Sequence, residues 1–181
     1  MKKLISLAAA LLALLAAAPD SSAKALVTQG SSEFGVSGLL DIESALGTDI
    51  EFDFRYAYFF FDRFSLGVLG GFGDNDATTR FDLSLVSEYN FALSDSYRPL
   101  VGTDFVPFVG IGVGFLYADL NPGDETAAVF SGEAGLKFFL SDSVAVTASL
   151  LGKLATDDVF ADDAKATNTD LSIRLGMRFY F

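Results

Sequence analysis

The strongest constraint on this chain is a strict alternation of apolar and polar side chains, which is clearest between Ile50 and Phe60. In that segment isoleucine, phenylalanine and tyrosine occupy every even position, while Glu51, Asp53 and Arg55 occupy odd positions. A helix would spread those charges over all of its sides, whereas a strand sends alternate residues to opposite faces. The segment therefore predicts a β-strand with one apolar face and one charged face.

The same alternation recurs along the chain and extends to its last residue. Seven further alternating segments are separated by turn-forming residues or polar loops, the longest of which runs from Ala155 to Thr169. The last of them, residues 171–181, is apolar at every odd position and carries Arg174 and Arg178 on its other face. Segments of about nine to eleven residues are long enough for a tilted strand to cross a bilayer core. The expected fold is all-β, an eight-stranded antiparallel up-and-down transmembrane β-barrel.

The amino-terminal segment has the layout of a secretory signal. Lys2 and Lys3 precede an unbroken apolar run that ends at Ala18, and small residues lead to a cleavage position after Ala23, with Ala18 as a second candidate. An uncleaved membrane anchor is the alternative, but the run is shorter than the roughly 18 to 20 residues of a spanning helix. The predicted domains are a signal peptide over residues 1–23 and an outer-membrane β-barrel domain over residues 24–181.

Composition excludes several classes of function. Cysteine and histidine are absent, so the chain has no disulfides, no thiolate or imidazole metal ligands, and none of the usual nucleophile and general-base sets. The formal net charge of −12 argues against binding to nucleic acid. We therefore expect no enzyme, no cofactor and no nucleic-acid partner.

An eight-stranded barrel could place its apolar faces inside, as an exported soluble carrier barrel of the lipocalin kind does, or outside against lipid. Shorter turns at one rim and longer polar loops at the other favour the membrane arrangement. Aromatic residues also sort into two belts around an aliphatic band, as bilayer interfaces select. One predicted belt holds Phe34, Tyr58, Phe60, Phe64, Tyr89, Phe91, Phe138, Phe179 and Phe181, and the other holds Phe72, Phe81, Phe115, Tyr117 and Phe130.

The charged faces then line the lumen, where acidic and basic residues are balanced and can pair. A solvated outer face is the alternative, but balanced signs within so acidic a chain favour the lumen. The predicted lumen network contains Glu51, Asp53, Asp82, Glu88, Glu133 and Asp170 together with Arg55, Arg80, Lys137, Lys153, Arg174 and Arg178.

The signal, the eight alternating strands and the closing octet of residues 174–181 resemble the small outer-membrane β-barrels of the OmpA/OmpX type. The resemblance implies a place in the bacterial outer membrane, contact with its lipid and lipopolysaccharide, and a monomeric barrel. It also implies that Arg174, Gly176, Phe179 and Phe181 form the signal read by the barrel-assembly machinery. Larger members of the family add a peptidoglycan-binding domain, which we do not expect here because the sequence stops at Phe181.

Acidic residues gather in the long polar loop. Asp157, Asp158, Asp162 and Asp163 could hold divalent cations, since Ca²⁺ and Mg²⁺ prefer clustered carboxylate oxygens, although a solvated anionic loop is the alternative. The expected function is a structural or surface-interaction role, in envelope integrity or adhesion, through acidic extracellular loops. A narrow low-conductance channel and the soluble carrier barrel are the alternatives.

Overall fold

The computed structural model describes residues 27–44, 47–75, 78–91, 105–120, 123–162 and 165–181. These residues form β-strands joined by turns and short irregular segments. The strands are β1 (Ser32–Ser44), β2 (Gly47–Phe61), β3 (Phe64–Asn75), β4 (Thr78–Asn90), β5 (Phe105–Leu120), β6 (Gly123–Ser141), β7 (Val144–Ala155), β8 (Phe160–Asp162), β9 (Lys165–Thr167) and β10 (Thr169–Tyr180).

Eight of these strands close into a barrel. Their order around the barrel is β1-β10-β7-β6-β5-β4-β3-β2, and each neighbouring pair is antiparallel. The seam joins β1 to β10, with Phe34 opposite Phe179 and Gly38 opposite Leu175. The remaining strands, β8 and β9, form a separate hairpin. The predicted eight-stranded antiparallel barrel is confirmed, since each barrel strand pairs with the next barrel strand along the chain and the first pairs with the last.

The alternation along each strand separates the outside of the barrel from its lumen. On β2, the side chains of Phe52, Phe54 and Phe60 are about half exposed, whereas those of Asp53 and Arg55 are buried. A soluble carrier barrel would have the opposite arrangement, because its apolar side chains would fill the interior. The soluble carrier alternative is therefore wrong.

Aromatic residues cluster near both ends of the barrel. We call the end that carries the start of β1 and the end of β10 the terminal rim, and the opposite end the distal rim. At the terminal rim Phe64 lies opposite Tyr89. Towards the distal rim a row of exposed rings crosses four adjacent strands. Its members are Phe52, Phe72, Phe81 and Tyr117, each opposite the next in register. Phe52 extends the belt that the sequence predicted on that side.

The distal connections differ from the expectation of long polar loops. Strands continue to within two residues of each other at residues 44–47, 75–78 and 120–123. Polar residues that looked like loops are therefore mostly the ends of paired strands, because aspartate, asparagine and glycine also mark the tips of long hairpins. At this rim the long connection is residues 156–168, and it contains the β8–β9 hairpin. The longest connection at the terminal rim includes residues 92–104, which lie outside the described residues.

The predicted signal peptide and its cleavage site also lie outside the described residues. Within the part of the chain that the structure describes, no helix is long and apolar enough to span a membrane.

Candidate functional site

The lumen near the terminal rim is filled by a compact group of ion pairs. Lys137 Nζ lies 2.8 Å from Glu33 Oε2 and 2.5 Å from Glu88 Oε1. Arg178 Nη1 lies 2.9 Å from Glu33 Oε1. Arg55 lies 3.3 Å from Glu33 and 3.2 Å from Glu88, with Glu133 at 3.9 Å. This terminal charge cluster consists of the acids Glu33, Glu88 and Glu133 and the bases Arg55, Lys137 and Arg178.

A second group of ion pairs occupies the lumen nearer the distal rim. Arg174 Nη2 lies 2.6 Å from Glu51 Oε2, and the same guanidinium contacts Asp53. Lys153 Nζ donates a hydrogen bond to Asp82 at 2.9 Å, and Arg80 lies 3.5 Å from Glu51. This distal charge cluster consists of the acids Glu51, Asp53 and Asp82 and the bases Arg80, Lys153 and Arg174.

The two clusters contain every residue of the predicted lumen network except Asp170. That residue is half-buried and lies directly opposite Lys153 in the register of β10 and β7. Glu33 was missed by the sequence analysis, although it contacts three bases and is fully buried. The alternation along β1 could have identified it, because Glu33 shares the odd-numbered face of this strand with Gly35 and Ser37.

Glycines make room for these side chains. A Cβ added at Gly35 would lie 2.7 Å from the Cδ of Arg178, and one at Gly71 would lie 2.5 Å from Asp82 Oδ2 and 2.7 Å from Asp53 Oδ1. These distances are shorter than the van der Waals contact between two carbon atoms or between carbon and oxygen. The glycines of β1 and β3 therefore set how closely the charged residues can pack within a narrow barrel.

An apolar plug closes the lumen on the terminal side of the first cluster. Tyr180 lies between the rings of Phe59 and Phe139, at centroid distances of 6.3 and 5.1 Å. Lys137 Nζ lies 5.2 Å from the Phe108 ring and 5.4 Å from the Tyr180 ring, so its charge also contacts aromatic faces. This terminal plug consists of Val27, Phe59, Val106, Phe139, Ala145 and Tyr180, all buried.

A second apolar plug closes the lumen beneath the distal rim. Part of it comes from inward-facing residues of β5, β6 and β7. The rest comes from Val159 and Phe160, which follow β7 and are 1% and 3% exposed. The connection after β7 therefore folds inward over the lumen. This distal plug consists of Leu116, Ala118, Ala127, Val129, Ala155, Val159 and Phe160.

The outer edge of the distal rim is acidic. Asp119 lies directly opposite Asp124 in the pairing of β5 and β6, an arrangement of like charges that costs stability in the absence of a cation. The exposed acids of this rim are Asp74, Asp119, Asp124, Glu125, Asp157 and Asp158.

The predicted cation loop is only partly described. Asp157 accepts a hydrogen bond from Thr156 Oγ1 at 2.9 Å, and Asp162 ends β8 opposite Lys165. Asp163 and the side chain of Asp162 lie outside the described residues. Among the acids that the structure does describe, no three are grouped so as to hold a metal ion. The cation site stays a prediction.

The four residues of the predicted assembly signal lie along the seam. Arg174 belongs to the distal charge cluster, and Gly176 packs against Ser37, where an added Cβ would lie 2.7 Å from the Ser37 Cβ. Phe179 faces outward. The backbone of Phe181 pairs with Ser32 through hydrogen bonds of 2.7 and 3.0 Å. Recognition of these residues by the assembly machinery stays a prediction.

The chain matches a known protein family and several solved structures. The family model described as "Outer membrane protein beta-barrel domain" matches residues 5–179. The chain is similar to the N-terminal β-barrel domain of OprF from Pseudomonas aeruginosa, with 20% identity and a TM-score of 0.64 over 84% of this chain and 98% of that one. It is also similar to Neisserial surface protein A, with 13% identity and a TM-score of 0.58 over 83% and 96% of the two chains. OprG of Pseudomonas aeruginosa gives 13% identity and a TM-score of 0.50 over 85% and 97%.

At these identities the likeness to solved structures concerns the fold alone. No curated protein matches the sequence.

Proposed function

Because the chain belongs to the outer membrane protein β-barrel domain family and resides in the bacterial outer membrane, we propose that it is a sealed barrel whose working surface is the acidic distal rim. Its role is structural or adhesive: it supports envelope integrity or attaches the cell to a cationic surface. It performs no catalysis and carries no solute through its lumen.

The observation that carries this proposal is the filling of the lumen. Two apolar plugs enclose two layers of paired charges, and the six residues of the terminal charge cluster have side chains no more than 14% exposed. An eight-stranded barrel has an interior only wide enough for side chains. A solute would have to break several buried ion pairs and displace at least one plug.

The distribution of charge supports a role at the rim. Each lumen cluster contains three acids and three bases and is therefore neutral, so the net charge of −12 is carried by the rest of the chain. Where side chains are described, Arg63 is the one base outside the lumen, and it lies at the terminal rim. The distal rim thus presents concentrated negative charge, which attracts cationic partners or the divalent cations that bridge lipopolysaccharide phosphates.

The absence of catalysis follows from the chemistry of the available groups. The sequence contains no histidine or cysteine. The lumen carboxylates lie in ion pairs with arginine and lysine, where their role is to balance buried charge. An acid committed to such pairs is poorly suited to proton transfer with a substrate.

The test compares two variants in cells that lack the wild-type protein. In the first, Asp119→Asn and Asp124→Asn remove two charges from the distal rim. The matched control, Asp62→Asn with Asp142→Asn, removes two charges from the terminal rim. We expect only the distal variant to lose attachment to a cationic surface or to become sensitive to detergent at limiting Mg²⁺. Wild-type behaviour of the distal variant in both assays would argue against the proposal.

A further inference from the structure

A groove of about 220 Å³ opens on the outer surface of the barrel, across β3, β4 and β5. Its walls include Phe64 and Tyr89 of the aromatic belt at the terminal rim, together with Val109 and Ile111 further along β5. The recess arises at Ser87, whose short outward side chain lies between Leu66 and Ile111 in register. This groove lies towards the terminal rim, away from the acidic distal rim.

The position of the groove determines what can fill it. The surrounding outward face is apolar, with Ile111 71% exposed, and in a membrane barrel that face contacts hydrocarbon rather than water. A void against the bilayer forfeits dispersion contacts on its open side. An acyl chain lying in the groove restores those contacts, and no aqueous ligand reaches this surface.

Arg63 lies in the turn at the terminal end of β3, one of the strands that form the groove. Arg63 immediately precedes Phe64, and its left-handed backbone (φ 68°) forms the turn between β2 and β3. The Arg63 carbonyl accepts hydrogen bonds from Asn90 N at 2.8 Å and from Asn90 Nδ2 at 3.4 Å. These bonds fasten the turn to β4, the strand that carries Ser87 and Tyr89.

Headgroup phosphates lie at the level of the aromatic belt, and an arginine guanidinium can bind two phosphate oxygens at once. We propose that the groove and Arg63 form a binding site for one anionic phospholipid of the leaflet at the terminal rim. One acyl chain lies between Phe64, Tyr89, Val109 and Ile111, and the phosphate contacts Arg63. The lipid would fill the recess at Ser87 and fix the barrel's depth on that side.

The test measures lipid retained by the refolded full chain. Protein in detergent micelles is titrated with dioleoyl phosphatidylglycerol or dioleoyl phosphatidylcholine, and bound lipid is counted by native mass spectrometry. Ser87→Leu fills the groove, whereas Ser87→Ala leaves it open. Ala148→Leu adds the same bulk to the outward face of β7, away from the groove. Each variant is first shown to fold by its heat-dependent gel mobility.

For Ser87→Leu we expect retention of phosphatidylglycerol to fall about tenfold, because a filled groove excludes several methylene groups. Ser87→Ala and Ala148→Leu should retain lipid as the wild type does. Equal retention by Ser87→Leu and the wild type overturns the proposal, and so does an equal loss in Ala148→Leu. If Ser87→Leu yields no folded barrel, Ile111→Ala replaces it, since this change removes a wall of the groove and should also weaken retention.

Arg63→Asn tests the headgroup contact, because asparagine tolerates the left-handed backbone of the turn. The preference for phosphatidylglycerol over phosphatidylcholine should fall about fivefold, as expected for one basic residue near a membrane surface. An unchanged preference would overturn the assignment of the phosphate to Arg63.

Discussion

Glu33 contacts all three bases of the terminal charge cluster. Its two carboxylate oxygens contact Arg55, Lys137 and Arg178, and its side chain is fully buried. Removing one partner from a buried charge network leaves the others uncompensated. We therefore expect Glu33→Gln to lower the free energy of unfolding by about 3 to 5 kcal/mol. Urea unfolding in lipid vesicles, followed by circular dichroism, measures this change.

The matched control for that substitution is Glu125→Gln, which makes the same chemical change at an exposed position of the distal rim. Its effect should stay within about 0.5 kcal/mol, as is usual for surface substitutions. Equal stability of the Glu33 and Glu125 variants would mean that the buried pairs contribute little.

For single residues, the two-residue alternation predicted which face of a strand each charged side chain occupies. It did not predict which side chain it pairs with. Arg174 and Glu51 are far apart in the sequence, and their 2.6 Å contact depends on which strands face each other across the lumen. Glu33 shows a second limit. One charged residue at the start of a strand is easily taken for part of the polar segment before it, although its odd-numbered position places it on the lumen face. Its register with Ala57 and Tyr180 then shows that it belongs to the strand.

Among the elements, the seam between β1 and β10 is sensitive to added volume. A Cβ at Gly176 would lie 2.7 Å from both the Ser37 Cβ and the Val36 carbonyl oxygen. Gly176→Ala should therefore lower the free energy of unfolding by about 1 to 3 kcal/mol, the range for overpacked sites. Refolding purified protein into lipid vesicles tests this without any contribution from the assembly machinery.

Gly132 supplies the control for the seam. It lies on the outward face of β6, and an added Cβ there would meet nothing within 4 Å. Gly132→Ala should leave stability unchanged or raise it slightly. If Gly176→Ala refolds as well as Gly132→Ala in vesicles, the seam tolerates the methyl group and this packing argument fails.

The connection after β7 is held in place by the distal plug. Phe160 is 3% exposed, and truncating a buried phenylalanine typically costs about 3 to 5 kcal/mol. Because this ring anchors the β8–β9 hairpin, which is not part of the barrel sheet, the cost should appear as local opening. We expect Phe160→Ala to speed trypsin cleavage after Lys165 in the folded barrel, as measured by gel electrophoresis.

Asp158→Ala provides the comparison, since its side chain is exposed in the same connection. It should be cleaved at the wild-type rate. Similar cleavage of the wild type and the Phe160 variant would show that the plug does not restrain the loop.

The number and pairing of the strands followed from the alternation, but their ends did not. Polar, turn-forming residues such as Asp74, Asn75 and Gly123 belong to strands in the structure. In the distal hairpins backbone pairing continues past the apolar segment. There, apolar and polar residues no longer alternate along the sequence. The hairpin of β8 and β9 was missed for a different reason, since three-residue strands are too short to show a period.

For the whole molecule, alternation alone could not decide which face of the sheet is inside. The sorting of aromatics into belts supplied that decision, and the exposed row of Phe52, Phe72, Phe81 and Tyr117 agrees with it. The plugs could not be predicted, because Val27, Phe139 and Val159 look like ordinary apolar residues until closure brings them into the lumen. Such residues distinguish a sealed barrel from an open one.

Conductance across a planar bilayer shows whether the lumen is sealed. Refolded protein, shown to be a barrel by its heat-dependent gel mobility, is inserted and recorded at a fixed voltage. The two plugs and the two neutral charge clusters predict no steady conductance above that of the bare membrane. Stable, stepwise openings from the folded wild-type barrel would show that the lumen is open and would favour a narrow channel.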